Sequence, residues 1–426
     1  MSADIAREGE PPKSVPRWRA DFGPLRRSRQ FRLLFVSQGV TIVGTMITAV
    51  AIPFQAYAIS HSSLVVGLLS AAEVVPYLFV SFIGGSLADT RDRRRIVLLS
   101  EVGLCACTGV LVENASFGRG HLWVLFVVAG LAAVLGALGR PSLDALVPRV
   151  VSAADLPAAT ALTSLRGTVG QVVGPAVAGG LISWIHLGPT YAIDLATFAI
   201  SILALARMAP VPPVAAEDAG PPRVREGFRY ARSRQDLLGS YAVDMAAMFF
   251  GMPEALFPQL AARFGGAGVL GLLYAAPAVG GLVIGATAGW VATVRRRGRA
   301  IVLAAGSWGL AVVAFGFAHW LWLALVVLVI AGCFDMVSGV MRMTLWNQTI
   351  PDALRGRMAG IELVSFSSGP ALGNVEAGIA ESLVGLRTSI VFGGIACVAA
   401  TAVVAFLLPG LWRSDTGPPS GVPPPE

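Results

Sequence analysis

Val66-Gly67-Leu68-Leu69-Ser70-Ala71-Ala72 and Leu270-Gly271-Leu272-Leu273-Tyr274-Ala275-Ala276 are nearly the same segment, 204 positions apart. The register continues without a gap: Leu78 meets Leu282, Gly85 meets Gly289, and Arg91, Arg93 and Arg95 meet Arg295, Arg297 and Arg299. Two apolar runs can coincide by chance. A match that runs on into aligned arginines argues instead for a duplicated unit. Parallel halves of this kind put a substrate path at their interface, near the bilayer midplane.

Composition says what solvent surrounds these halves. Of 426 residues, 55% are hydrophobic and only 13% charged, with a mean hydropathy of +0.70. Soluble domains carry about 25% charged residues, so lipid rather than water is the expected surrounding. A bilayer core needs roughly 20 apolar helical residues to cross. Twelve such runs can be read, at about 33–58, 65–88, 96–113, 121–146, 157–184, 190–208, 238–260, 268–293, 300–317, 320–346, 357–382 and 387–408. The expected fold is an all-α membrane protein: twelve transmembrane helices in two pseudo-symmetric six-helix bundles.

The net charge of +7 sits in short clusters between the runs, which suits cytoplasmic loops facing anionic lipid and not a nucleic-acid surface. Basic residues fall on alternate loops: the N-terminal arm, Arg91 to Arg95, Arg149, Arg223 to Arg234, Arg295 to Arg299, and Arg355 with Arg357. Both termini are therefore expected in the cytoplasm of a multi-pass inner-membrane protein, as an even number of spans also requires. The divisions follow: a cytoplasmic arm over 1–30, one bundle over 31–208, a cytoplasmic linker over 209–237, the second bundle over 238–408, and a Pro/Gly-rich tail over 409–426. The linker is expected to hold a short amphipathic helix near Glu226 to Arg234. A cleaved signal peptide is not expected, because the first thirty residues are polar and the apolar run after them is too long. Cys105, Cys107, Cys333 and Cys397 lie in apolar runs and read as buried small residues. No histidine pairing at metal spacing is present, so neither a metal nor another cofactor is expected.

The segment Gly84-Gly85-Ser86-Leu87-Ala88-Asp89-Thr90-Arg91-Asp92-Arg93-Arg94-Arg95 resembles the signature between the second and third helices of the major facilitator superfamily, with Gly85, Leu87, Ala88, Asp89, Arg93 and Arg94 matching. Asp92 stands where that signature has glycine. Gly85 lets helices approach closely, and Asp89 can accept from the N-terminus of a neighbouring helix. The resemblance implies that this neighbour is the eleventh helix and that Gly85, Asp89, Arg93 and Arg94 form a latch for the outward-facing state. Thr293 replaces the acid in the second half, so the latch is one-sided. The fifth run holds Gly170, Gly174, Pro175 and Gly179, a GxxxG packing face with a proline bend. It is similar to the helix 5 motif of facilitator-family antiporters, although an ordinary packing face explains it as well.

Asp335, Ser338 and Arg342 share one face of the tenth run. With Asp244 to Pro253, Pro351 to Arg357 and Gly369 to Gly378, they resemble the enterobactin-exporter branch of the superfamily over about 25–408. That resemblance implies proton-driven efflux of a siderophore or drug-like metabolite. A charge inside the membrane costs about 2.5–3.5 kcal/mol on insertion scales and therefore calls for a partner or water. The proton-coupling candidates are Asp335 with Arg342, then Asp244, Glu73 and Glu376, and static pairing between helices is the plain alternative for any one of them. Other interior acids are Glu101, Asp194, Glu254 and Glu362. Met248, Phe249, Met252 and Trp346 are candidates to line an adaptable cavity, although such side chains also suit lipid. No Walker A loop, nucleophile elbow or His-Glu-x-x-His motif is present, so an enzyme or ATP-driven pump is not expected. The expected partners are a small-molecule substrate, protons and the lipid bilayer, with the chain acting as a monomer. A sensor or assembly partner that keeps the fold without transport, and a facilitated importer, are the competing readings.

Overall fold

The computed structural model describes residues 21–116, 120–212 and 224–414, with all their side chains except those of 82–90, 224–228, 288, 292–293, 352–353, 355–357 and 359. The described chain is helical throughout. The first half runs α1 (Gly23–Arg27), α2 (Arg29–Ser60), α3 (Ser63–Thr90), α4 (Arg93–Ser116), α5 (Leu122–Val150), α6 (Leu156–Ile185) and α7 (Leu187–Ala206). The linker helix α8 (Val224–Ser233) leads to α9 (Gln235–Phe250), a 3-10 turn at Glu254–Leu256 and α10 (Phe257–Phe264). Then come α11 (Ala267–Ala286), a 3-10 segment at Ala288–Thr293, α12 (Arg297–Gly316), α13 (Leu321–Thr349), α14 (Asp352–Val384), α15 (Leu386–Leu407) and α16 (Pro409–Trp412).

Ten described helices are long and apolar enough to cross a membrane. The expected seventh and eleventh runs are not among them. The seventh is interrupted where Gly251-Met252-Pro253 ends α9 and the chain resumes as a 3-10 turn and α10; proline cannot donate the next helical hydrogen bond. The eleventh became α14, 33 residues long but diluted by Glu362, Ser365, Ser367, Ser368, Asn374 and Glu376. The eighth run stops being α-helical at Ala286 and finishes as the 3-10 segment.

The repeat is kept in the element boundaries. Ser60 ends α2 and Phe264 ends α10; Ser63 opens α3 and Ala267 opens α11; Arg93 opens α4 and Arg297 opens α12. Each pair keeps the shift of 204. His61 (φ 51°) and Gly265 (φ 143°) are also equivalent, and both turn the chain through the left-handed region after a helix. Gly265 does so without the steric cost that His61 bears.

Helices α2–α7 pack mainly on one another, and so do α9–α15. The two sets meet where α3 lies against α14 and α6 against α11. Apolar side chains cover the outside: Phe79, Leu99, Phe392 and Phe406 are exposed, as a lipid-facing surface requires. Trp123, Trp184, Trp320 and Trp322 are exposed too. All four sit at helix ends on the face remote from the linker, where an aromatic belt belongs. Asp155 at the opposite, linker-side end accepts from Arg27 Nε at 3.2 Å. That bond holds the Asp155 carboxyl below its ordinary range and lifts the Arg27 guanidinium above its own.

Candidate transport cavity

Between the two helix sets lies a cavity of about 900 Å³. It extends into the linker-side half of α5, to Arg140 and Leu143. At the far end the sets touch. A Cβ on Gly67 would clash with the Asn374 carbonyl, one on Gly378 with Leu64 Cα at 2.6 Å, and one on Gly179 with the Ala267 carbonyl oxygen, also at 2.6 Å. Glycine allows this approach and any larger residue would wedge it open. Among the described residues, two hydrogen bonds join the sets on this side. Ser63 Oγ donates to Gln259 Oε1 at 3.1 Å, and Gln259 Nε2 donates to Glu381 Oε1 at 2.9 Å within the second set. Asn374 Nδ2 donates to Ser70 Oγ at 3.1 Å while its Oδ1 accepts from the Ala255 amide at 3.0 Å. The described contacts join the two sets at the far face, and the cavity extends from there toward the linker side.

Glu73, Glu254 and Asp335 all line the cavity. Glu73 comes from α3, Glu254 from the turn after α9, and Asp335 from α13. Tyr274 of α11 stands within electrostatic reach of Glu73 and Glu254, and Glu254 within reach of Asp335. Among the described residues none of the three carboxylates has a hydrogen bond or an ion pair. Sequence reasoning noted Glu254 but missed Tyr274. Its signal was in the repeat itself, where Tyr274 replaces Ser70 inside an otherwise matching segment.

The remaining interior acids are placed differently. Arg342 makes an ion pair with Asp244, both almost fully enclosed, with Ser365 Oγ at 3.4 Å from Asp244 Oδ2. Asp335 is not its partner: a spacing of seven residues separates the two by about 10 Å along one helix, beyond direct contact. Neither Asp244 nor Arg342 lines the cavity, and neither does Glu376. Asp194 is fully buried and held by hydroxyls, with Thr48 at 2.5 Å, Thr108 at 3.2 Å and Thr197 at 3.3 Å. Glu101 reaches the cavity wall but accepts from Gln38 at 3.1 Å and Thr41 at 3.1 Å.

Met248 and Met252 line the cavity. Phe249 does not, and packs edge-on against Phe250 at 4.8 Å. Trp346 does not either: its ring lies 5.0 Å from that of Tyr241 and its Nε1 donates to Ser240 Oγ at 2.9 Å. Both aromatics found partners inside the second helix set, which run-by-run reading cannot see. In α6, a Cβ on Gly170 would strike Ile42 at 2.5 Å and one on Gly174 would strike Met46 at 2.5 Å, so this face receives α2. Gly179 and the Pro175 carbonyl receive Gly271 of α11.

At Gly85 and Asp89 only the helical backbone of α3 is described; the Asp89 carboxylate lies outside the described side chains. Arg94 donates from Nε to the Leu205 carbonyl at 2.8 Å and from Nη2 to the Ala206 carbonyl at 2.6 Å. It thereby caps α7, whose last carbonyls lack helical partners. Asp92, in place of the signature's glycine, caps α4: its Oδ1 accepts from the Arg95 amide at 3.1 Å.

The family model described as transmembrane secretion effector matches residues 19–426. The chain belongs to that family. Among its relatives are enterobactin exporters EntS. The one from Shigella boydii serotype 4 is 28% identical over 84% of this chain and 86% of its own. The one from Citrobacter koseri is 27% identical over 94% and 97%. The fold is similar to that of a POT family transporter solved with 5-aminolevulinic acid, at TM-score 0.72 and 12% identity over 91% of this chain and 97% of that one. It is similar also to the nucleoside transporter NupG, at TM-score 0.69 and 12% identity over 91% and 99%. This member of the secretion effector family is a multi-pass membrane transporter that exports a small molecule, and not an enzyme.

Proposed function

We propose that this exporter is a proton-coupled secondary transporter of the inner membrane, working as a monomer with both termini in the cytoplasm. Twelve spans form two six-helix bundles that rock about the cavity, so that it opens to one face at a time. In this reading the observed form is inward-facing, open toward the cytoplasmic linker. The latch of Gly85, Asp89, Arg93 and Arg94 engages α14 when the bundles rock outward. The cargo is a siderophore or a drug-like metabolite, in line with the name of the enterobactin exporter relatives.

The observation that carries the reading is the trio Glu73, Glu254 and Asp335, which line the cavity without partners among the described residues. Charge in such a place is costly unless water, a proton or cargo answers it. Protonation of Asp335 and Glu73 would then bias the two states of the molecule. Asp244 with Arg342 couples at one remove, as a buried pair whose separation accompanies rocking, and Glu376 is the remaining coupling candidate. The test is Asp335→Asn in proteoliposomes under an imposed pH gradient: efflux is lost while the protein stays folded in the membrane. Wild-type efflux from that variant removes Asp335 from coupling.

A further inference from the structure

Four carboxylates line the cavity: Glu73, Glu101, Glu254 and Asp335. Among the described residues a single base lines it, Arg140, in the linker-side half of α5. Its Nε already donates to Asp144 Oδ2 at 3.1 Å. The interior arginine of α13, Arg342, is committed to Asp244 and lies off the wall. Protonation cannot reverse this balance. With all four acids protonated the deep wall is neutral, and with any of them ionised it is negative. Among the described residues, none on this deep wall offers an anion a free positive charge at any pH.

The rest of the wall is apolar and polarisable. Met248, Met252, Phe257, Tyr274 and Trp308 face the same space. Aromatic faces attract cations through their quadrupole, and thioethers adapt to irregular shapes. A volume of about 900 Å³ matches the upper range of sites for drug-sized ligands.

We infer that the cavity selects a bulky lipophilic cation, whose charge is answered by the unpartnered carboxylates of Glu73, Glu254 and Asp335, over an anion of the same shape. The inference rests on the exporter reading for its biological meaning, but the preference is a property of the binding site alone. Glu101 is held by Gln38 and Thr41, so it contributes to the field without meeting the cargo. Tyr274, beside Glu73 and Glu254, offers its ring to the cation's apolar shell.

Tetraphenylphosphonium and tetraphenylborate have nearly the same shape and opposite charge. Each labelled ion is measured separately by equilibrium dialysis against the purified full-length protein in detergent, with empty micelles subtracted. The expected result is a preference for the phosphonium of about tenfold or more. Asp335→Asn narrows it several-fold, and the double variant Glu254→Gln/Asp335→Asn brings it to within about twofold. Glu113→Gln, on the exposed side of α4, leaves it unchanged. Equal binding of the two ions, tighter binding of the borate, or no saturable binding of the phosphonium by the wild type overturns the inference. The wild-type ratio decides this even where a variant fails to fold. Efflux is scored apart: a protein that prefers the cation but moves no solute in proteoliposomes keeps this inference and removes the exporter reading.

Discussion

Asp194 and Asp335 are the same residue in the same apolar setting, and the structure treats them oppositely. Asp194 in α7 is fully buried and surrounded by the hydroxyls of Thr48, Thr108 and Thr197. Asp335 in α13 lines the cavity and is met by none of the described residues. The first is a packing device: its cost of burial is offset inside the helix set by donors on α2, α4 and its own helix. The second is open to whatever enters the lumen. The contrast teaches that an intramembrane acid is read from its partners and not from its depth. Asp244, enclosed with Arg342, is the intermediate case, in which a full charge answers another.

This contrast orders the expected effects of mutation. Asp335→Asn removes efflux, a loss of at least tenfold, with no matching loss of thermal stability; initial rates in proteoliposomes and an unfolding curve on the same sample give both quantities. Arg342→Met leaves Asp244 buried without its counter-charge, at a cost of about 3–5 kcal/mol. The drop shows in detergent unfolding, and the double replacement Asp244→Leu/Arg342→Met recovers most of it. Asp194→Ala leaves Thr48 and Thr108 without their acceptor, at a cost of about 1–3 kcal/mol. Efflux per folded molecule stays near wild type, and a collapse of efflux there would erase the distinction between the two aspartates.

The smallest effect is on the arm. Because the Arg27 hydrogen bond holds the Asp155 carboxyl below its ordinary value of 3.8, the contact contributes above that value and is lost as pH falls through the lower, folded one. Asp155→Asn removes it at neutral pH. Trypsin cleavage after Arg26 and Arg27 should then quicken by no more than a few-fold, since exposed pairs contribute little.

Much of this was legible in the sequence. Run length and charge placement located α2 through α7 to within a few residues, because a span's length is fixed by bilayer thickness. The repeat was legible because duplicated packing keeps its register, and the structure carries the shift of 204 into its helix boundaries. The interruption at Gly251-Met252-Pro253 was legible as residues but not as an end, since proline inside a span is often tolerated, as Pro53 and Pro175 are here. Partners were the illegible part. Asp335 and Arg342 share a face on paper, yet a helix rises too far in seven residues for them to meet, and Asp244 reaches Arg342 from α9. The far-side bonds of Ser63, Gln259 and Glu381 had no local signal, because each joins segments distant in sequence.

In the proposed cycle, closure at the far side exchanges with closure at the linker side. The direct measurement is the distance between spin labels at His61 and Leu383, exposed positions near the far ends of α2 and α14, in a background with the four native cysteines replaced. Pulsed dipolar spectroscopy in liposomes should resolve a short population, matching the closed contact of Ser63, Gln259 and Glu381, and a longer one that grows with a change of pH or with added tetraphenylphosphonium. One short distance, unmoved by either while the same liposomes carry out efflux, would rule out that exchange.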